Sequence, residues 1–494
     1  MVNNPINVVK RDSTREPLDI DKIHSILTWS IKGYKDCLVS EIEMNSKISL
    51  TDGVSTDDIH LTLIKSAVNL ISAQVPNYKF VAGRLLNYYI RKKIFGISSD
   101  EDMPHLEDVI KDNIANNTYD SLILDFYDEE DLDQINDIIK HSNDYTFDYA
   151  GLKQCYDKYL VRNRATDVIY ETPQYMYIMI AMTLYRDVDP KLRFNKIRKY
   201  YKDVSSFKIS LPTPIMAGVR APTRQYSSCT LIDCGDSLNS INSSNSAILK
   251  YVANRAGIGL NVSKIRSYGS EIRKGEAKHT GLIPFLKSIE GTVHSVSQGA
   301  VRTGAATVNY PFWNPEIENL LVLKNNRGTD ENRVRNLDYC VQLSRLFYQR
   351  FLAKGKISLF STIDCPDLIT HWGDNDKWDK AYVAYEKNKS IPRKEVCAVE
   401  LMNFIARERL ETGRLYILNI DHVNDHSPFL EKVNMTNLCV EVTLVSRPLD
   451  SIEDGNKVTK RISYDTKDKD KVDQYIKDNE SMFITLQDHL KGDY

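Results

Sequence analysis

Four things are missing from this sequence of 494 residues, and each absence closes off a class of function. No apolar run is long enough to cross a bilayer. The longest, Tyr175 to Tyr185, stops at Arg186, where a span needs about 20 residues, so it reads as a buried helix. The opening residues carry no apolar stretch of a secretion signal. Neither sign of charge dominates: Lys and Arg total 65 against 67 Asp and Glu, which leaves no global field to favour nucleic acid or an anionic membrane. The eight cysteines, at positions 37, 155, 229, 234, 340, 365, 397 and 439, form no CxxC and no Cys/His cluster. A structural zinc site and a disulfide framework are both disfavoured by that scatter. The expectation is a cytoplasmic protein with reduced thiols, no metal ligands of its own, no nucleic acid and no membrane.

What is present is a chain able to bury a large core. Hydrophobic residues make up 42% of it, and its length allows roughly two to four domains. Residues 1–95 read as a small α-rich module. Ile6 to Asp12 forms a short strand entering a turn. A helix carrying Ile23, Ile26, Leu27 and Ile31 on one face follows. A second starts at the capping run Ser55-Thr56-Asp57-Asp58 and turns Ile59, Leu63, Ile64, Ala67 and Val68 inward. A third, from Tyr78 to Lys93, buries Val81, Leu85, Leu86 and Tyr89. The polar residues left over are Lys10, Arg11, Glu16, Lys22, Thr56, His60 and Lys92. A basic strand end, a helix start and a basic helix end together suit a triphosphate, although no Walker motif is present and solvated surface charge is the competing reading.

Residues 96–220 are predominantly helical with acidic linkers, ending where Pro212 and Pro214 impose an extended entry. From 221 to 449 strand and helix alternate, which implies a largely parallel α/β sheet or barrel. Strands are expected at Ser228–Asp233, Gly257–Val262, Ala306–Tyr310, Ile357–Ser361, Leu415–Ile420 and Leu438–Leu444. Helices are expected at Ser243–Asn254, Glu316–Leu323, Asp338–Leu352 and Ala398–Glu411. Residues 450–494 read as a flexible charged tail with a terminal apolar anchor at Met482–Leu486.

Within the last expected strand, alternation would turn Asn437, Cys439 and Glu441 to one side and Leu438, Val440 and Val442 to the other. An amide, a thiol and a carboxylate then stand in a row. The carboxylate raises the thiol pKa, which opposes nucleophilic catalysis and suits a sulfur acting as a neutral or radical species. Taken on its own, the segment reads first as a buried strand cysteine between apolar neighbours.

Several segments taken together resemble the large catalytic subunit of class I ribonucleotide reductase. They are Asn437 to Glu441, Ser227-Ser228-Cys229, Cys234 to Leu238, Ser210 to Pro214, Arg255 to Gly259, Ser297 to Ala306 and Leu323 to Gly328, in order from the first residues to about Leu449. The resemblance implies an N-terminal helical ATP-cone (1–95), a helical domain (96–220), and the N-terminal part of a ten-stranded α/β barrel (221–449). It implies that Cys439 is the thiyl-radical position, Glu441 the base for the 3′-hydroxyl of a ribonucleoside diphosphate, and Asn437 the amide that orients sugar hydroxyls. Cys229 corresponds to the thiol that helps expel the 2′-hydroxyl. Thr213, Ser228, Ala256 and Gly257 match substrate-binding positions. Asp236, Ser237, Arg266, Arg273, Gln298 and Arg302 match the specificity site for a deoxynucleoside triphosphate or ATP, with magnesium. Lys10, Arg11, Glu16, Lys22, Thr56, His60 and Lys92 become contacts of an ATP/dATP activity switch.

The family pattern also requires parts that do not occur here. They are a second redox cysteine to pair with Cys229, a phosphate-binding loop, a relaying tyrosine pair, and C-terminal cysteines that exchange with thioredoxin or glutaredoxin. The expectation is therefore the N-terminal portion of a split large subunit, an arrangement suited to a compact genome such as a bacteriophage's. It would act with a complementary C-terminal chain and a radical-generating, di-iron tyrosyl type of small subunit. The alternative is a nucleotide-sensing or assembly subunit without catalysis. A Cys/His hydrolase is disfavoured, since no histidine lies near Cys439 in sequence.

Overall fold

The computed structural model describes residues 7–46, 52–97, 99–222, 226–298 and 302–449. They fall into two compact units that divide between Tyr226 and Ser227. Residues 450–494, including the expected apolar anchor, lie outside the described residues.

In the first unit, β1 (Asn7–Val9) pairs antiparallel with β2 (Arg15–Pro17) and parallel with β3 (Val54–Ser55). α1 (Ile20–Ile31) is capped by Asp19. It is followed by α2 (Val39–Ser46), which the sequence pattern did not reveal. The expected capping run does start α3 (Thr56–Asn69): Ser55 Oγ accepts from Asp58 N at 3.0 Å, a cap worth about 1 kcal/mol. α4 (Tyr78–Phe95) buries Val81, Leu85, Leu86 and Tyr89 and closes at Gly96 in the left-handed conformation, where glycine carries no Cβ penalty. The apolar run 175–185 lies within α5 (Pro173–Tyr185), whose residues are buried nearly all round. No helix among the described residues is long and apolar enough to cross a membrane.

The second unit is built on five parallel strands that lie side by side in chain order: β4 (Cys229–Asp233), β5 (Gly257–Asn261), β6 (Ala306–Pro311), β7 (Asp338–Leu343) and β8 (Leu415–Asn419). Their register aligns Cys229 with Gly257, Gly259 with Thr307, and Asn309 with Cys340. Side chains alternate across the sheet. Ile258, Leu260, Val308, Tyr339 and Val341 share a core with Ile248 and Val252 of α6 (Leu238–Ala253) and Leu286, Ile289 and Val293 of α7 (Leu282–Ser295). The opposite face carries Cys229, Asp233, Gly257, Gly259, Asn261, Thr307, Asn309 and Gln342, with Leu231, Cys340, Tyr416 and Leu418 among them. One face is a hydrocarbon core and the other is rich in polar side chains and bare glycines.

Three expected elements differ. Asp338–Leu352 is not one helix but β7, Ser344 and α8 (Arg345–Leu352). Tyr339, Cys340 and Val341 fill a strand buried between two neighbours, and that placement overrides the helical spacing. The strand near Ile357 exists as Lys356–Leu359, but it pairs antiparallel with Lys394–Cys397 outside the parallel sheet. Residues 438–444 form no strand.

Candidate active site

After β8 and a short helix (Ile420–Asp425), the chain returns across the polar face of the sheet, and the strands below are shaped to receive it. Asn424 exchanges hydrogen bonds with the backbone of Val433, at 2.9 Å each way. Gln342 Nε2 donates to Asn434 O at 2.7 Å. Asn309 clasps Thr436, its Oδ1 accepting from the backbone N at 3.3 Å and its Nδ2 donating to the carbonyl at 3.2 Å. Thr307 Oγ1 donates to Leu438 O at 2.6 Å. Gly259 makes the approach possible, because a Cβ there would sit 2.2 Å from Thr436 O and 2.6 Å from Asn437 Cα. At Gly257 a Cβ would meet the Leu438 side chain at 2.5 Å. Asp233, held by Lys264 and by Asn261, accepts from Asn434 Nδ2 at 3.4 Å, and Leu449 N closes on its carbonyl.

The expected row of three side chains on an extended strand is replaced by a turn. Asn437 N donates to Val442 O at 3.1 Å, and Asn437 Oδ1 accepts from Glu441 N and Val442 N at 3.1 and 3.0 Å. Val440 takes φ 67°, a conformation a β-branched residue adopts only when its surroundings enforce it. Asn437 is therefore folded beneath the turn and fully buried, Cys439 is exposed at its tip, and Glu441 is exposed on the returning arm. Asn437 Nδ2 has no hydrogen-bond partner, a buried donor left open.

Electrostatics favour the protonated sulfur. Although the residue is exposed, partial burial of the sulfur raises the Cys439 pKa above the ordinary thiol value, the Glu441 carboxylate and the Cys229 thiol raise it further, and Arg414 opposes them. Cys439 and Cys229 are thus within electrostatic reach of each other. Cys229 is half-buried at the head of β4, beside the exposed Ser228, whose carbonyl accepts from Gly257 N at 2.8 Å. Ala256 is buried just before Gly257. Thr213 belongs to the first unit, where its Oγ1 lies 3.4 Å from the Tyr159 hydroxyl.

Two further groups of expected residues gather, one in each unit. In the second unit, Asp236 holds Arg266 twice, accepting from its backbone N at 3.0 Å and from Nε at 2.8 Å. Ser237 caps α6 by accepting from Ser240 N. Arg273 stands apart on an exposed hairpin, 3.5 Å from Glu276. The backbones of Gln298 and Arg302 pair with each other, and their side chains lie outside what is described. In the N-terminal module, Glu16 joins Lys10 at 3.0 Å and Lys22 at 3.7 Å, while Arg11 pairs with Asp57 at 2.6 Å and lies over the Tyr89 ring. His60 stacks on Tyr88. Burial, reinforced by Arg11 and Lys92, brings its pKa down to about 4, with Asp57 opposing. Burial and the charges of Arg11 and Lys10 lower that of Lys92. Thr56 opens α3 at the same edge.

Reading the sequence missed the groups that hold the turn, namely Gly259, Thr307, Asn309, Gln342, Asn434 and Asp233. It also missed Asp57, Tyr88 and Tyr89 in the cationic cluster. The available signal was polar or glycine residues at every second position of strands otherwise apolar enough to be buried on both faces.

Family models described as "Ribonucleotide reductase, barrel domain" and "Ribonucleotide reductase, all-alpha domain" match residues 227–455 and 145–224, and one described as "ATP cone domain" matches residues 6–93. The ribonucleoside-diphosphate reductase subunit alpha of Haemophilus influenzae is 48% identical over 459 residues, covering 92% of this chain and 60% of the relative. The ribonucleoside-diphosphate reductase 1 subunit alpha of Escherichia coli is 47% identical over 452 residues, covering 91% of this chain and 59% of the relative. The subunit alpha of Enterobacteria phage T4 is 41% identical over 451 residues, covering 90% and 59%. The chain thus spans about three fifths of the length of these relatives. With two reductase-domain models side by side behind an ATP cone, and near-half identity sustained over nine tenths of its residues, the chain belongs to the class I ribonucleotide reductase large-subunit family.

Proposed function

We propose that this chain is a component of a ribonucleoside-diphosphate reductase that uses a thiyl-radical mechanism. It works with a complementary polypeptide that completes the barrel and with a small subunit whose metal centre, of di-iron tyrosyl type, supplies the oxidising equivalent. Cys439, its thiol pKa raised by partial burial and by Glu441, gives up its hydrogen atom, takes the 3′-hydrogen of the sugar, and returns it to the same carbon at the end of the cycle, which leaves the sulfur as the radical again. Glu441 receives the 3′-hydroxyl proton. Asn437, whose Nδ2 is buried without a partner, is assigned to orienting the sugar hydroxyls. Cys229 gives its proton to the departing 2′-hydroxyl, which leaves as water. The two electrons come from two thiols that end as a disulfide: Cys229 and a cysteine on the complementary polypeptide, which thioredoxin or glutaredoxin later reduces.

Thr213, Ser228, Ala256 and Gly257 are assigned to the substrate. Asp236, Ser237, Arg266, Arg273, Gln298 and Arg302 are assigned to the effector that sets specificity. The N-terminal cluster is assigned to ATP or dATP with magnesium. Its fit to a polyphosphate rests on cations close enough to depress one another, a repulsion that bound phosphate relieves.

The observation that carries the reading is the turn that sets Cys439 close to Glu441 and to Cys229, with the unpartnered amide nitrogen of Asn437 folded beneath it. The test is complementation. The chain, a polypeptide carrying the remaining barrel strands, and a radical-generating small subunit are assayed for deoxyribonucleotide formation, together and with each component omitted. Turnover only in the full mixture is expected. A full mixture that binds ATP and dATP but never turns over would favour a nucleotide-sensing or assembly subunit instead.

A further inference from the structure

The polar face of the sheet raises a question that the reading of Cys439 leaves open. A backbone segment buried against a sheet must pair its N–H and C=O groups, yet residues 434–438 have no strand beside them. Side chains do the pairing instead. Along β6, Thr307 and Asn309 alternate onto the same face, and with Gln342 of β7 they serve the carbonyls of Leu438, Thr436 and Asn434 and the backbone N of Thr436. All three side chains are fully buried. Valine or leucine would pack at least as well in a strand of this kind, so packing alone does not account for the polar atoms.

Thr307 is the member nearest the chemistry. The carbonyl it holds belongs to Leu438, the residue directly before Cys439. Beyond Cys439 the turn is closed by Asn437 and not by the sheet. The exposed sulfur is therefore carried between two brackets, one fastened to β6 and one internal to the turn. Gly259 aligns with Thr307 on the neighbouring strand and keeps clear the space through which the segment passes.

We infer that Thr307 and Asn309 are positioning residues for the reaction, and that they set how far the turn carries Cys439 across the sheet toward Cys229. This rests on the reading of Cys439 as the reacting thiol. A hydrogen-atom transfer is steep in distance, and a misplacement of about 1 Å costs roughly a hundredfold in rate. Loss of a single buried hydrogen bond has only a modest effect on the fold.

The test is Thr307→Val, which keeps the shape and removes the hydroxyl, assayed in the complemented enzyme. The expected result is a fall in kcat of roughly 10- to 100-fold, with KM for the ribonucleoside diphosphate and the affinities for ATP and dATP unchanged within about twofold. Thr307→Ser, which restores the donor, should recover most of the rate. In the chain alone, hydrogen exchange should quicken at Thr436, Glu441 and Val442 and nowhere else in the second unit. Wild-type turnover by Thr307→Val would overturn the inference. So would a raised KM with kcat intact, no recovery by Thr307→Ser, or melting of the whole second unit. A Cys439→Ser control separates the two claims. If it still turns over, the reading of Cys439 fails; if it is inactive while Thr307→Val is fully active, only the positioning role fails.

Discussion

The N-terminal cationic cluster and the thiol-bearing turn solve opposite electrostatic problems. In the first, burial together with the charges of Arg11 and Lys10 takes basicity from Lys92, and burial with Arg11 and Lys92 keeps His60 neutral. Glu16 and Asp57 offset only part of that charge, through partly exposed ion pairs of the kind worth little in water. In the second, a sulfur stands beside a carboxylate and a second thiol, and its proton is held more tightly. One site is short of negative charge; the other keeps its sulfur neutral. On the reading proposed above, the difference separates a place that reads nucleotides from a place that moves hydrogen atoms, within one nearly neutral chain.

The contrast can be broken most severely at Gly259. Gly259→Ala forces a Cβ into the backbone of Thr436 and Asn437. It should lower the stability of the second unit by about 1–3 kcal/mol and cut turnover in the complemented enzyme roughly a hundredfold. ATP binding at the N-terminal cluster should be untouched; calorimetric melting and effector titration check both halves. The cationic side is tested by Lys92→Ala, expected to weaken ATP or dATP binding roughly tenfold by isothermal titration, with no change in Cys439 reactivity.

Glu441→Gln sharpens the comparison at the sulfur. Removing the carboxylate's charge lowers the Cys439 pKa, so alkylation of that thiol by iodoacetamide at pH 8 should run severalfold faster, read by peptide mass spectrometry. A rate unchanged from the parent would mean the carboxylate does not hold the proton in place. The smallest effect is expected at His60. Its folded pKa of about 4 lies below the ordinary 6.5, so between those values the unfolded chain binds the extra proton and stability falls as pH falls. Above about pH 6.5 the group contributes no slope. His60→Gln should therefore narrow the loss of Tm on acidification, with the gap between variant and parent opening only below pH 6.5. A gap of constant size would contradict the assignment.

Much of this architecture was legible before any coordinates. β4, β5, β6 and β8 announce themselves as short apolar runs between punctuating residues, and the capping run at Ser55 marked the start of α3. β7 was not legible, because only Ser344 separates it from α8 and no glycine or proline breaks the pattern between them. The turn at Cys439 was misread for a related reason. Leu438, Val440 and Val442 have strand propensity, and nothing in a valine advertises φ 67°. That conformation belongs to a turn closed by Asn437, and the segment leading into it is held by Thr307, Asn309 and Gly259, more than a hundred residues earlier in the chain. The thiol, amide and carboxylate were recognisable from their spacing and from resemblance, while the hardware that positions them was visible only once the strands were in register. In the N-terminal module the cations stood out, and the rings of Tyr88 and Tyr89 passed as core residues because they follow the helical stripe.

The most direct measurement is deoxyribonucleotide formation by the complemented enzyme carrying Cys439→Ser, alongside the parent and with ATP binding followed in both. The account predicts that the substitution abolishes turnover, by on the order of a thousandfold or more, while the N-terminal cluster binds ATP as before. Turnover retained by the serine variant would contradict it.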